Sequence, residues 1–116
     1  MNQQVTQRVL RLVGLGVRSR GAVVGVEQVR DAVKKGKLAL ALVAADASKH
    51  SLDKVVPLLE ARHVRIVEVA SAAELGQVAG RQQTAAIGII DRQLARGIRE
   101  LMDAAPDGSS KEAGFE

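Results

Sequence analysis

The chain has 116 residues, 47% of them apolar, with one Phe and no Trp, Tyr or Cys. That length suits one domain around one core. The composition makes the core aliphatic and excludes disulfides, thiolate metal sites and recognition that stacks bases on exposed aromatic rings.

Lys and Arg number 17 against 13 Asp and Glu, a formal net charge of +4. Setting aside the segment after Pro106 removes Lys111 and the acids Asp107, Glu112 and Glu116, and leaves 16 against 10. An excess of six in a small domain favours a polyanion such as nucleic acid as partner. The lack of cysteine fits a reducing, cytoplasmic setting, and no apolar run reaches the roughly 18 residues of a membrane span.

Residues 1–26 carry Arg8, Arg11, Arg18 and Arg20 and no acid, which superficially matches an organelle transit peptide. Val5, Val9, Leu12 and Val13, however, form one helical stripe of the kind a core uses. The spacing therefore predicts an amphipathic helix from Val5 to Arg18, weakened towards its end by Gly14 and Gly16, then a basic turn and a short strand over Ala22–Val24.

A second helix is expected over Val26–Lys35. Val26, Val29, Ala32 and Val33 share one side and Glu27, Asp31 and Lys34 the other, and Gly36 stands where a left-handed cap would end it. Leu38–Ala45 is nearly all apolar and reads as a strand covered on both faces.

Asp46–Ser51 is a polar turn. The helix after it, from His50 or Ser51 to about Arg62, contains Pro57, so it either begins late with Pro57 in its first turn or is kinked there. Val64–Val69 is a strand.

Ser71 and Glu74 have capping-box spacing and open a short helix that Gly80 closes. Ala85–Ile90 is a further strand, and Asp91 caps a final helix to about Ala104. Residues 105–116 have the composition of a flexible tail. The expected organisation is one domain over 1–104, an α/β three-layer α-β-α sandwich with a small, mostly four-stranded mixed sheet.

Catalytic patterns are missing. Gly14-Leu-Gly16 follows a helix rather than a strand and lacks the third glycine of a dinucleotide fingerprint. Gly36-Lys37 lacks the rest of a phosphate loop. His50 and His63 have no zinc-site partners, Ser19, Ser48, Ser51 and Ser71 lack a nucleophile elbow, and the carboxylates form no acid/base pair. No cofactor or metal is expected.

Three blocks carry a resemblance: GVEQVRDAVKKGKLALALVAADAS at 25–48, VEVASAAELGQVAG at 67–80 and AAIGIID at 85–91. With the leading helix they span about residues 5–102. In this order they resemble the kink-turn-binding ribosomal-protein family, the L-seven-Ae and L-thirty-e group, and within it the lone-domain bacterial branch.

The resemblance implies a sandwich that grips the sharply bent duplex of a kink-turn. The family places a Gly-x-Asn-Glu-x-x-Lys run at its recognition helix, and the matching positions are Gly25, Glu27, Gln28 and Asp31. Gly25 allows close backbone approach to RNA. Glu27 and Gln28 are implied to meet guanine edges of sheared G·A pairs, and helix-terminal amides to receive phosphate.

Asp31 departs from the family Lys, which donates to guanine; an ionised aspartate donates nothing and repels phosphate. Lys34, Lys35 and Lys37, with Arg20, are candidate phosphate contacts. The loop Val69, Ala70, Ser71 is implied to pack against bulged nucleotides.

The expected function is non-enzymatic binding, by a monomer, of a kink-turn or similarly bent RNA of ribosomal or regulatory origin. A protein–protein adaptor in a ribonucleoprotein complex, with RNA recognition weakened at Asp31, is the alternative. A small-molecule or nucleotide-handling enzyme on the same scaffold is the third.

Overall fold

The computed structural model describes residues 3–104. The expected tail over 105–116 lies outside the described residues.

Nine elements follow in order: α1 (Gln3–Arg18), β1 (Ala22–Val24), α2 (Val26–Lys34), β2 (Leu40–Val43), α3 (Lys49–Ala61), β3 (Ile66–Glu68), α4 (Ala72–Val78), β4 (Ala86–Ile89) and α5 (Arg92–Asp103). The strands form one mixed sheet in the order β1-β4-β2-β3. β4 runs antiparallel to both β1 and β2, whereas β2 and β3 are parallel, with Leu42 opposite Val67. The expected three-layer sandwich with a four-stranded mixed sheet is thus the observed fold.

Two aliphatic cores result from strand alternation. Leu40 and Leu42 of β2 and Ile87 and Ile89 of β4 point to one face, where they meet Val9 and Val13 of α1, Leu75 of α4 and Ile98 of α5. Ala41 and Val43 point to the other, against Val29 and Val33 of α2 and Val55 and Leu59 of α3. Every residue of β2 and β4 is buried, as expected for strands covered on both faces.

The strands are shorter than the apolar runs that announce them. Leu38 and Ala39 lead into β2, and the amides of Ala44 and Ala45 continue its bonding to Ala85 and Ala70. Val69 likewise donates to Val43 beyond β3. Gly14 and Gly16 do not interrupt α1. A Cβ on Gly16 would stand 2.4 Å from Leu94 Cδ2, so the bare backbone lets α5 close on α1.

Helix α3 begins at Lys49, where Ser48 accepts from the Ser51 amide at 3.1 Å. Pro57 therefore sits inside the helix rather than in its first turn, and the Asp53 carbonyl gets no amide from it. Ser71 and Glu74 form the reciprocal capping box, and Asp91 caps α5 through the amides of Gln93 and Leu94.

At the far end of the molecule Arg65 bonds both carboxylate oxygens of Asp103, at 3.3 and 2.9 Å, and holds that carboxyl below its ordinary range. No helix among the described residues is long and apolar enough to cross a membrane.

Candidate functional site

Strands β1 and β2 are parallel to one another through β4, so both end at the same rim of the sheet. Gly25 follows β1 there, its amide donating to Ala86 at 2.9 Å, and Ala44 follows β2, bonded to Ala85. The β3–α4 loop reaches the same rim, where Ala70 accepts from Ala45 at 2.8 Å. Topology thereby brings Gly25 and Ala70–Ser71, 45 residues apart by number, to one edge.

Gly25 occupies φ 99°, ψ 155°, a region nearly closed to residues with a Cβ. Its backbone conformation is the first reason for glycine at this position; an added Cβ would find open space apart from Arg81 Nη1 at 3.9 Å. Gly25 also offers α2 no side-chain cap. The first-turn amides of α2 therefore point to the rim without the partner that Ser48, Ser71 and Asp91 give α3, α4 and α5.

The β3–α4 loop is held from several directions. Ala70 has φ 58°, unusual for a residue with a Cβ. The Ser71 amide donates to Glu74 Oε1 at 3.0 Å, and the Ala72 amide donates to Asp46 Oδ1 at 2.8 Å. Thr84, buried, donates its amide to Ala72 and its hydroxyl to the Ala86 carbonyl.

A cleft of about 440 Å³ opens between the starts of α2, α3 and α4, lined among others by Val26, Asp46, Ser48, Ser51, Ala72 and Thr84. It joins the two stretches singled out from the sequence.

Not every candidate residue faces this cleft. Val69 is buried in the core, 1% exposed, so of the loop only Ala70 and Ser71 show side chains at the rim. Glu27 is turned towards α3, 4.0 Å from Lys54 Nζ, in an exposed pair that restrains it little. Gln28 and Asp31 face the β1 side of α2, where with Val23, Lys35, Lys37 and Ile90 they line a depression of about 330 Å³. Asp31 is paired with Lys35 at 3.1 Å, one turn along.

Lys34, Lys35 and Lys37 lie at the C-terminal end of α2, about 13 Å of helix from Gly25. Arg20, in the turn before β1, is at that same opposite end of the sheet.

Arg81 was not singled out by sequence reading. It follows Gly80, which closes α4 at φ 73°, and the chain folds back so that its guanidinium approaches Gly25. Its one sequence signal is a basic residue directly after a helix-stopping glycine. No ion-pair partner is found for it among the described residues. Nor does any group of three or more His, Cys, Asp and Glu there gather to hold a metal.

Residues 7–98 match the model of the Ribosomal protein L7Ae/L30e/S12e/Gadd45 family. The RNA-binding protein YlxQ of Enterococcus faecium is 29% identical over 103 residues, covering 89% of this chain and 99% of that protein. The RNA-binding protein YlxQ of Bacillus subtilis (strain 168) is 28% identical over 92 residues, 79% of this chain and 92% of that one.

Among solved structures, a Bacillus halodurans protein of unknown function shares the fold with a TM-score of 0.75 at 29% identity, over 82% of this chain and 96% of the other. The Giardia lamblia 15.5kD RNA binding protein does so with a TM-score of 0.72 over 87% of each chain; at 24% identity the likeness is one of fold.

Proposed function

The chain belongs to the ribosomal protein L7Ae/L30e/S12e/Gadd45 family, and from that footing we propose that it is a non-enzymatic RNA-binding module that holds a kink-turn or a similarly bent RNA. The observation that carries this reading is the single rim on which the uncapped start of α2 and the braced β3–α4 loop meet across a cleft. Two relatives named as RNA-binding proteins point the same way.

The chemistry follows from what the rim offers. Amides at the start of α2 and the guanidinium of Arg81 suit phosphate, which gathers affinity without reading sequence. Gln28, on the β1 side of α2 outside the cleft, can donate to and accept from RNA that extends over that flank. Glu27, in the same first turn and held only by an exposed 4.0 Å pair, is free to accept from guanine amino groups. Sheared G·A pairs leave such edges open, so recognition needs no aromatic stacking. Ala70 and Ser71 present a small surface to bulged nucleotides. Asp46 and Glu74 are engaged in backbone bonds, which gives them structural work at the rim.

Asp31 lies off the rim and is tied to Lys35, so the cation that the family resemblance leads one to expect on α2 is missing. Arg81 supplies positive charge at the helix start from a different element. On this reading, affinity rests more on phosphate contact and less on one lysine-to-guanine bond.

Titrating a kink-turn RNA into isotope-labelled protein tests the reading. Resonances of Gly25–Gln28, Ala70–Ala72 and Arg81 should move first and furthest. Shifts concentrated at Lys34, Lys35 and Lys37 would instead place RNA at the other end of α2 and remove the rim from the account.

A further inference from the structure

Helix α1 carries Arg8, Arg11, Leu15 and Arg18 in a single exposed row, at steps of three, four and three residues. The helix contains no acid, and none of these arginines has an ion-pair partner among the described residues. Leu15, 51% exposed, is the one large apolar residue exposed among those described. A positive row interrupted by one bare leucine is not needed by the core, which α1 contacts through Val5, Val9 and Val13 on its other side.

Beside the row lies a groove of about 550 Å³ between α1 and α4, with Arg11, Leu15 and Arg18 on one wall and Glu74, Gln77 and Val78 on the other. Gly14 forms part of its lining. A Cβ there would stand 3.3 Å from Arg18 Nη1 and 3.7 Å from Val78 Cβ, so the missing side chain leaves room for the guanidinium to lie in the groove. Glu74, the one acid lining it, already accepts from the Ser71 amide. Helix α4 separates this groove from the rim cleft: Ala72 faces the cleft, Gln77 and Val78 the groove.

We propose that the α1–α4 groove docks an acidic peptide segment, with a bulky apolar side chain against Leu15 and Val78 and carboxylates on Arg11 and Arg18. Charge complementarity selects the sign of the partner. Guanidinium forks bind carboxylates well, and Arg11 and Arg18 are seven residues apart, about 10 Å along the helix. That spacing matches carboxylates two turns apart on one face of a partner helix.

Leucine at the centre of the row favours peptide over RNA. A phosphate backbone would satisfy the arginines but leave the apolar wall against charge and water, whereas a peptide side chain covers it. The proposal is independent of RNA binding at the rim. It gives the chain a second surface, suited to an acidic stretch of a protein partner.

The test uses the full chain and a short synthetic helical peptide with two glutamates seven residues apart flanking a leucine, followed by NMR and fluorescence anisotropy. A lysine-for-glutamate peptide and a single-stranded RNA oligomer serve as controls. The glutamate peptide should shift Arg11, Leu15, Arg18, Gln77 and Val78. Its affinity should fall at least about tenfold in Arg11→Glu/Arg18→Glu and in Leu15→Asp, and should weaken with salt.

All the substituted positions are exposed, and an unchanged circular dichroism spectrum confirms that the variants fold. No binding at millimolar peptide, or equal binding of the lysine peptide, overturns the proposal. So does stronger perturbation of the same residues by RNA, which would assign the groove to nucleic acid. Groove resonances that move with protein concentration alone would assign it to a second copy. Resonances that move on deleting residues 105–116 would assign it to the chain's own C-terminal segment.

Discussion

Asp46 Oδ1 accepts the Ala72 amide at 2.8 Å, a bond between residues 26 positions apart that ties the turn after β2 to the start of α4. It crosses the floor of the rim on which the proposed RNA surface depends. Asp46→Ala should lower stability by about 1 kcal/mol in denaturant titration, the net worth of one hydrogen bond of this kind. Asp46→Asn, which keeps an acceptor, should recover most of it. RNA affinity should follow the same order, because an untied α4 leaves Ala70 and Ser71 without fixed positions.

Arg81 is expected to act through charge. Arg81→Ala should weaken binding to bent and to duplex RNA alike and reduce the slope of log K against log salt by about one. Arg81→Lys should keep the slope. The measurement is anisotropy across a salt series, and an unchanged slope in Arg81→Ala would show that the guanidinium meets no phosphate.

Asp31→Lys removes a negative charge from the flank of α2 and places there the lysine that the family resemblance implies. If the RNA lies along that flank, binding to a kink-turn should tighten by roughly 1–3 kcal/mol, with a smaller gain for duplex RNA lacking G·A pairs. An equal gain for every RNA would mean that the helix contributes charge without reading bases.

Gly76 marks where the return loop of α4 comes closest to the helix. A Cβ there would stand 2.4 Å from Gln83 Cα and 2.6 Å from its amide nitrogen, both backbone atoms that cannot swing aside. Gly76→Ala should cost about 1–3 kcal/mol, as overpacking does, measured by thermal or denaturant unfolding. It should also weaken RNA binding by pushing Arg81 and Thr84 away from the rim. Gly36→Ala, with nothing within 4 Å of the added Cβ, should cost only the left-handed backbone strain and leave binding unchanged.

Much of this fold is legible locally, because its cues act within a few residues. The Ser71/Glu74 capping box, the Asp91 cap and the stripe Val26, Val29, Ala32, Val33 all sit where they were expected. Strand ends were overestimated because an apolar run marks burial, which at Leu38, Ala39 and Ala44 extends past the regular strand Leu40–Val43 even though the Ala39 and Ala44 amides still bond to Ile89 and Ala85. The position of Pro57 depended on where α3 starts, and the Ser48 cap places that start earlier.

The candidate site was harder to read, because proximity at the rim comes from strand order. Nothing near Arg81 in sequence says that its guanidinium lies beside Gly25. Similarly, Val69 and Ala70 are adjacent small apolar residues, yet Val69 is buried in the core while Ala70, turned by its left-handed backbone at φ 58°, is partly exposed at the edge of that core. The depression holding Gln28 and Asp31 is separate from the cleft at Val26, a division set by the 100° step between neighbours on a helix.

The most direct test of the central claim compares binding of the full chain to two RNAs that differ only in the G·A pairs of a kink-turn, one intact and one disrupted, at physiological salt. Recognition at the rim of α2 and the β3–α4 loop predicts that the intact RNA binds at least about tenfold tighter, a difference of roughly 1.4 kcal/mol or more. Equal affinities that fall together as salt is raised would contradict it, and would leave the basic surface as a non-specific binder of nucleic acid.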